Sequence, residues 1–212
     1  ELTTEERIVL RAEREANIEA EKNGGIPTKH SLIKLRKAYD DAGNDFKAAE
    51  TLEQQNEIYP NPEDYNLIGV YYHNSGNKDK AVEFFERAIE HNPNDYWPNF
   101  NLGNPLFYKD PQRARKHLNK AYELYPSEPC INILLGRLDK NEGKTVEAKE
   151  KFQIAYDKYE QRWKANSLSD TDYDWFASVA EELGKRDKAY EIRRAKPKIE
   201  KTSYYDEENL TQ

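Results

Sequence analysis

Residues 62–95 read PEDYNLIGVYYHNSGNKDKAVEFFERAIEHNPND, a stretch that predicts two short helices joined by a tight turn. The first helix carries bulky residues around one glycine: Tyr65, Ile68, Gly69 and Tyr72. The second helix has small and bulky residues at helical spacing: Ala81, Phe85 and Ala88. Because Gly69 and Ala81 lack bulk, the two helices can approach closely there while the aromatic rings fill the surrounding space. Pro93 marks the end of the unit.

Copies of this pattern occur on both sides of the stretch. The turn GNKDKA (76–81) is echoed by GNDFKA (43–48) upstream and by GKRDKA (184–189) downstream. Equivalent small residues lie 33 residues apart between Gly43 and Gly76 and 34 residues apart between Ala114 and Ala148. A regular spacing of this length indicates stacked units that bury one continuous core.

The pattern resembles the tetratricopeptide repeat, a family of helix-turn-helix units of about 34 residues. The resemblance implies an all-α fold, a right-handed α-solenoid with an N-terminal helix, and it implies binding of other proteins. We expect five repeats followed by an acidic flexible tail. The predicted divisions are 1–28 for the N-terminal capping helix and linker, 29–61, 62–95, 96–128, 129–162 and 170–201 for the repeats, and 202–212 for the tail.

Two departures from the repeat predict local irregularities. Pro105 falls two residues after Gly103, inside an expected helix, where proline removes a backbone hydrogen bond and crowds the preceding turn. We expect a kink or an early break there. Seven surplus residues around 163–169 lengthen the spacing from Ala148 to Ala189 to 41 residues. They predict that the second helix of the fourth unit is longer than the others and protrudes.

The segment 1–25 forms a separate amphipathic element. Thr3 followed by Glu6 fits a capping box, and Gly24 and Gly25 end the predicted helix. The same segment is similar to the start of the lid helix of seventy-kilodalton heat-shock chaperones, through ELTTEE (1–6) and AEREAN (12–17). That likeness implies a tail of a larger chaperone-like protein. The chain has no methionine, which is consistent with a fragment, a processed form or a sequence from which the methionines have been omitted.

Composition argues against several functional classes. A net charge of −7 disfavours nucleic-acid binding, which depends on a basic surface. No apolar run approaches the length of a membrane span, and no signal segment is visible. The single cysteine excludes an internal disulfide and favours a reducing, cytoplasmic location. Metal-binding, phosphate-binding and catalytic motifs are absent, so we expect neither a cofactor nor enzymatic activity.

The resemblance also places a peptide-binding groove on the first helix of each unit, mainly at its second, fifth, ninth and twelfth residues. The groove residues it implies in units two to four are Asn66, Val70, His73, Trp97, Phe100, Asn104, Ile133, Arg137 and Lys140. Lys37 would join Asn66, Asn104 and Arg137 in a clamp for acidic C-terminal tails. Ile33 and Val70 argue against such a clamp, because they stand where it needs polar residues.

The mixture of groove residues favours an extended peptide or a partner helix. An apolar side chain of the ligand would lie over Trp97 and Phe100, with its backbone held by Asn66 and Asn104. Arg137 and Lys140 would favour an acidic partner. The alternative for Trp97 and Phe100 is packing against the neighbouring unit.

Two functions of different classes remain open from the sequence. One is a scaffold or adaptor that binds a protein partner in the groove. The other is a structural module that forms homo-oligomers by stacking its solenoid ends.

Overall fold

The structure, a computed structural model, describes residues 2–197. Within that range it is built from α-helices and one short 3-10 helix (Pro62–Asp64), without any β-strand. The predicted all-helical class is therefore confirmed. The helices are α1 (Thr4–Lys22), α2 (Lys29–Asp41), α3 (Asp45–Ile58), α4 (Tyr65–Asn74), α5 (Lys78–His91), α6 (Tyr96–Leu106), α7 (Pro111–Leu124), α8 (Pro129–Asn141), α9 (Thr145–Lys164), α10 (Asp170–Glu182) and α11 (Arg186–Ala195). The acidic tail expected from residue 202 lies outside the described residues.

The turns inside the helix pairs follow local sequence rules. Gly76 has a φ of 86°, in the left-handed region that favours glycine, and it ends the first helix of its pair. The side chain of Asn77 then accepts a hydrogen bond from the backbone N–H of Lys80 and caps α5. The related sequence at Gly43 and Asn44 forms the same turn before α3. The sequence echo between these turns thus reflects one backbone geometry.

Glycine permits the close crossing in three of the helix pairs, at Gly69, Gly103 and Gly136. A Cβ atom at Gly69 would lie 2.6 Å from ring atoms of Phe85, and one at Gly136 would lie 2.7 Å from the ring of Phe152. Ala81, on the facing helix of the first crossing, is fully buried. A side chain at Gly69 or Gly136 would overlap the ring of Phe85 or Phe152 at the present distance between the two helices. Glycine at these positions therefore permits that distance.

The core runs as a strip along the solenoid and divides at α8. One cluster of buried residues extends from α2 to α8, and a second extends from α8 to α11. Leu134 belongs to the first cluster, whereas the adjacent Ile133 belongs to the second. The helix α8 is therefore covered on both sides, and ten of its 13 residues are buried.

The irregularities predicted at Pro105 and at residues 163–169 are both present, but the long helix that ends within residues 163–169 does not protrude. The helix α6 ends at Leu106, one residue after Pro105, which confirms the early break. The helix α9 continues to Lys164 and is longer than the other second helices, as expected. Its last turn does not protrude, however. The Trp163 ring packs against Tyr173 and Phe176, each at a centroid distance of 6.0 Å, so the extra turn supports α10.

The helix α1 lies along α2 at the start of the solenoid. The predicted capping box is present, since Thr3 and Glu6 exchange both hydrogen bonds. The Thr28 hydroxyl donates to Glu19 at 2.6 Å, and the Tyr39 hydroxyl donates to Glu13. These contacts fix α1 against the first helix pair.

Candidate peptide-binding groove

From α4 onwards, the first helices of the pairs lie closer together than the second helices do. Helix α4 approaches α6, α6 approaches α8, and α8 approaches α10 to within 8 Å between Cα atoms. Among residues 2–197, no such approach joins α5 to α7 or α7 to α9. The face built from α4, α6, α8 and α10 is thus the inner face, and the face built from α5, α7 and α9 is the outer face.

Carboxamide side chains connect α4 to α6 on the inner face. Asn101 Nδ2 donates a hydrogen bond to Asn66 Oδ1 at 3.0 Å. One to two turns further along, Asn104 Nδ2 lies 3.5 Å from His73 Nε2. The predicted residues Asn66, His73 and Asn104 therefore lie along one seam, together with Asn101. The sequence pattern did not select Asn101, although it lies next to Phe100 on the same side of α6.

His73 is held in its neutral form at this seam. Burial, followed by the positive charge of Lys78, lowers the pKa of His73 below its ordinary value. Its Nδ1 atom is buried and has no hydrogen-bond partner among the described residues. The imidazole thus contributes a neutral polar surface rather than a cation.

The two predicted aromatic anchors have different surroundings. Trp97 is 58% exposed, and its ring meets Tyr96 edge to face at a centroid distance of 4.9 Å. Phe100 is half-buried and stacks on Tyr96 at 5.7 Å with nearly parallel rings. The ring of Trp175, from α10, meets the Phe100 ring in a T-shaped arrangement at a centroid distance of 6.4 Å. Trp97 is therefore available to a partner, whereas Phe100 mainly packs against the rings of Tyr96 and Trp175.

An apolar strip on α4 continues this surface. Val70 is half-buried and packs against the core, as a residue at the edge of a groove would. Leu67 lies one turn before it and is 37% exposed. The repeat positions did not include Leu67, but its spacing of three residues from Val70 places the two side chains on one side of α4.

Arg137 and Lys140, the two cations predicted further along the inner face, form ion pairs with the same carboxylate. Glu182 on α10 accepts from Arg137 Nε and from Lys140 Nζ, each at 2.9 Å. Arg137 also donates to the Ser178 hydroxyl at 2.5 Å. Burial raises the pKa of Glu182, but the hydrogen bonds from Lys140 and Arg137 outweigh it and the pKa is lowered. Glu182 therefore neutralises one of these two positive charges and weakens the attraction for acidic ligands that they were expected to provide.

Ile133 requires a correction. Its side chain is completely buried in the second core cluster, which also contains Phe176 and Ala177 of α10. It cannot line a groove in this structure, because α10 packs over that part of α8. The cause is the stacking of the fifth helix pair, which the repeat positions alone do not specify.

The structure therefore divides the predicted site into two parts. Asn66, Val70, His73, Trp97, Phe100 and Asn104 lie on the adjacent helices α4 and α6. We call this surface, together with Leu67 and Asn101, the α4–α6 surface. Arg137 and Lys140 belong instead to the contact between α8 and α10.

Residues 2–197 lack the features of two other kinds of site. No group of three or more histidine, cysteine, aspartate or glutamate side chains in this range could hold a metal ion. Over the same range, none of the helices combines the length and apolar character that a membrane crossing requires.

Comparisons with known proteins agree with this fold. Residues 62–95 match the family model described as tetratricopeptide repeat. A crystal structure of MamA has a TM-score of 0.52 at 20% identity, over 76% of this chain and 91% of that chain. The structure of MamA 41-end from Desulfovibrio magneticus RS-1 has a TM-score of 0.58 at 16% identity, over 84% and 97%. The structure of MamA MSR-1 has a TM-score of 0.57 at 20% identity, over 72% of this chain and 97% of that chain. At these identities the likeness concerns the fold, and it confirms the expected solenoid.

Proposed function

We propose that this tetratricopeptide-repeat chain is a protein-interaction scaffold that binds an extended peptide segment on the α4–α6 surface. The observation that carries the proposal is the exposed Trp97 ring beside a seam of carboxamide groups. A large, partly exposed aromatic ring supplies much of the binding energy when a partner removes it from water. We propose a binding role without catalysis.

An extended peptide suits this surface better than a partner helix does. The carboxamide of asparagine offers both a donor and an acceptor, as a peptide group does. An extended backbone has free N–H and C=O groups to pair with Asn66, Asn101 and Asn104, whereas the backbone of a helix is already hydrogen-bonded. Leu67 and Val70 would then contact one apolar side chain of the ligand.

The charge of this surface argues for an uncharged ligand segment. His73 is neutral because burial and Lys78 lower its pKa, and Glu182 occupies Arg137 and Lys140. The side chains of Asn66, His73, Asn101 and Asn104 are themselves uncharged, and within residues 2–197 the one cation that acts on this seam, Lys78, does so from beside His73. We therefore propose that the segment over α4 and α6 is apolar and polar-neutral rather than acidic.

A peptide selection followed by variant binding tests the proposal. Extended peptides selected from a display library against the purified chain would be measured by fluorescence anisotropy. We expect Trp97→Ala to weaken binding by about 2 kcal/mol or more. Tyr190→Ala is the matched control, because Tyr190 is an exposed aromatic residue on α11 and is 65% exposed. Equal affinities for the two variants would refute the assignment to the α4–α6 surface.

Self-assembly through the solenoid ends remains a second candidate. Leu10 and Ile18 on α1 are 50% and 41% exposed, so the N-terminal end presents apolar surface. A molar mass that rises with concentration, and that falls to the monomer value in a Leu10→Lys variant, would support this function. The chaperone-tail interpretation and a cytoplasmic location stay predictions from the sequence.

A further inference from the structure

The outer face contains a cleft between α5 and α7, near the start of α6. Its volume is about 490 Å³. Ile89 and Pro93 form an apolar side. The polar side comes from α7 and holds two cations, one carboxylate and two neutral groups: Lys116, Lys120, Glu123, His117 and Asn119. None of the residues that line the cleft belongs to the α4–α6 surface.

The cations of α7 differ in their partners. Arg113 pairs with Glu86, and Arg115 pairs with Asp139 and Glu142. Within residues 2–197, by contrast, no carboxylate forms an ion pair with Lys116 or Lys120. These two lysines lie four residues apart on one side of the helix, where like charges repel. An anion bound between them would remove that repulsion.

Buried hydrogen bonds determine the orientation of Asn99 at the base of the cleft. Asn99 is 2% exposed, and its Nδ2 donates to the carbonyl oxygens of Asp95 at 2.8 Å and Pro93 at 3.3 Å. Since the amide nitrogen faces two acceptors, Oδ1 faces His117 and must accept a hydrogen bond. His117 Nδ1 lies 3.1 Å from this oxygen and therefore carries a proton.

That arrangement leaves the other ring nitrogen of His117 for a ligand. Nε2 has no hydrogen-bond partner within the described residues and is not buried. Burial, followed by the charges of Lys116 and Arg113, lowers the pKa of His117, while Glu86 opposes this. The free imidazole is thus neutral at pH 7, with Nε2 unprotonated. A bound anion would stabilise the imidazolium form, in which Nε2–H can donate a hydrogen bond.

We propose that this cleft is a second binding site, which takes a glutamate or aspartate side chain of an acidic peptide segment from a partner protein. The ammonium groups of Lys116 and Lys120 and the Nε2–H of His117 hold the carboxylate. Ile89 and Pro93 contact the adjoining apolar atoms of the segment. The volume is larger than a lone inorganic anion needs, and the apolar wall matches a peptide side chain rather than a phosphate.

Binding at this site takes up a proton. The charged groups that act on His117 or line the cleft beside it are Glu86 on α5 and Arg113, Lys116, Lys120 and Glu123 on α7. A carboxylate between the two lysines adds a negative charge beside the ring. Since the anion raises the pKa of His117, affinity increases as the pH falls from about 7.5 to 5.5.

The test uses the acetylated and amidated peptide Leu-Glu-Glu-Leu, with Leu-Gln-Gln-Leu as its neutral control. Heteronuclear NMR of the histidine rings follows binding and titration together in the full chain. We expect the Glu peptide to bind at least about fivefold more tightly than the Gln peptide. We also expect the pKa of His117 to rise by about one on saturation with the Glu peptide.

Variants assign the effect to the cleft. Lys116→Gln with Lys120→Gln should weaken binding of the Glu peptide about tenfold. Lys29→Gln with Lys149→Gln is the control for net charge, because both of these lysines are exposed and lie outside the cleft. His117→Gln should abolish the pH dependence of binding while circular dichroism shows unchanged helix.

Three results would overturn the proposal. They are equal binding of the Glu and Gln peptides, equal weakening by the two double variants, and tighter binding of inorganic phosphate than of the Glu peptide. Trp97→Ala should leave binding of the Glu peptide unchanged, which separates this site from the α4–α6 surface.

Discussion

Replacing Gly69 with alanine tests the packing that sets the helix spacing. The added Cβ would lie 2.6 Å from Cδ1 and Cε1 of Phe85, about 1 Å inside an ordinary carbon–carbon contact. Phe85 is 1% exposed, so its ring has no open space to enter. Overpacking of this kind costs roughly 1–3 kcal/mol. Alanine recovers roughly 1 kcal/mol of helix propensity relative to glycine. We expect a net destabilisation of about 1 kcal/mol.

Gly69→Ala should change from destabilising to stabilising when the Phe85 ring is removed. In a Phe85→Ala background the clash is absent, and Gly69→Ala should stabilise by about 0.5–1 kcal/mol through helix propensity alone. The swing of about 2 kcal/mol exceeds the usual error of additivity. The free energy of unfolding would be measured by urea unfolding followed by far-UV circular dichroism. The four proteins are the parent chain, Gly69→Ala, Phe85→Ala and the double variant, with a stabilising osmolyte to preserve the folded baseline of Phe85→Ala. The reasoning is refuted if Gly69→Ala has the same effect in both backgrounds.

Two further predictions concern titratable groups. Burial raises the pKa of the Cys130 thiol to about 12, so the native chain should resist thiol reagents at pH 8 and react only on unfolding; rapid labelling of the native chain would contradict this. Glu182 has a lowered pKa, so its contacts with Arg137 and Lys140 stabilise the fold above the unfolded pKa of about 4.3 and are lost as the pH falls through the folded value. Glu182→Gln should thus be less stable than the parent chain at pH 7, with a difference in the free energy of unfolding that shrinks in urea titrations as the pH falls through the folded pKa of Glu182.

The helices, their turns and their close crossings were predictable from the sequence. These features depend on residues near one another in the chain or on one recurring pattern. Gly76 and Asn77 specify a turn through backbone conformation and a capping hydrogen bond. Pro105 lies in the last turn of α6, where it cannot donate a backbone hydrogen bond to the preceding turn. Gly69 and Ala81 predict a crossing because two small residues on facing helices let the backbones approach closely.

The candidate site was only partly predictable, because it depends on how the helix pairs stack. The periodic pattern identifies the side of each helix that faces inward, and Trp97 and Asn66 follow from it. It does not specify which side chains of a later unit reach across that face. Only the tertiary structure brings Glu182 to Arg137, buries Ile133 beneath α10 and places Trp175 against Phe100. It alone also orients Asn99 towards His117, since that contact joins two helices through hydrogen bonds that no repeat position encodes. Stacking is decided by the volumes and charges of side chains far apart in the sequence, and a single repeat pattern does not contain that information.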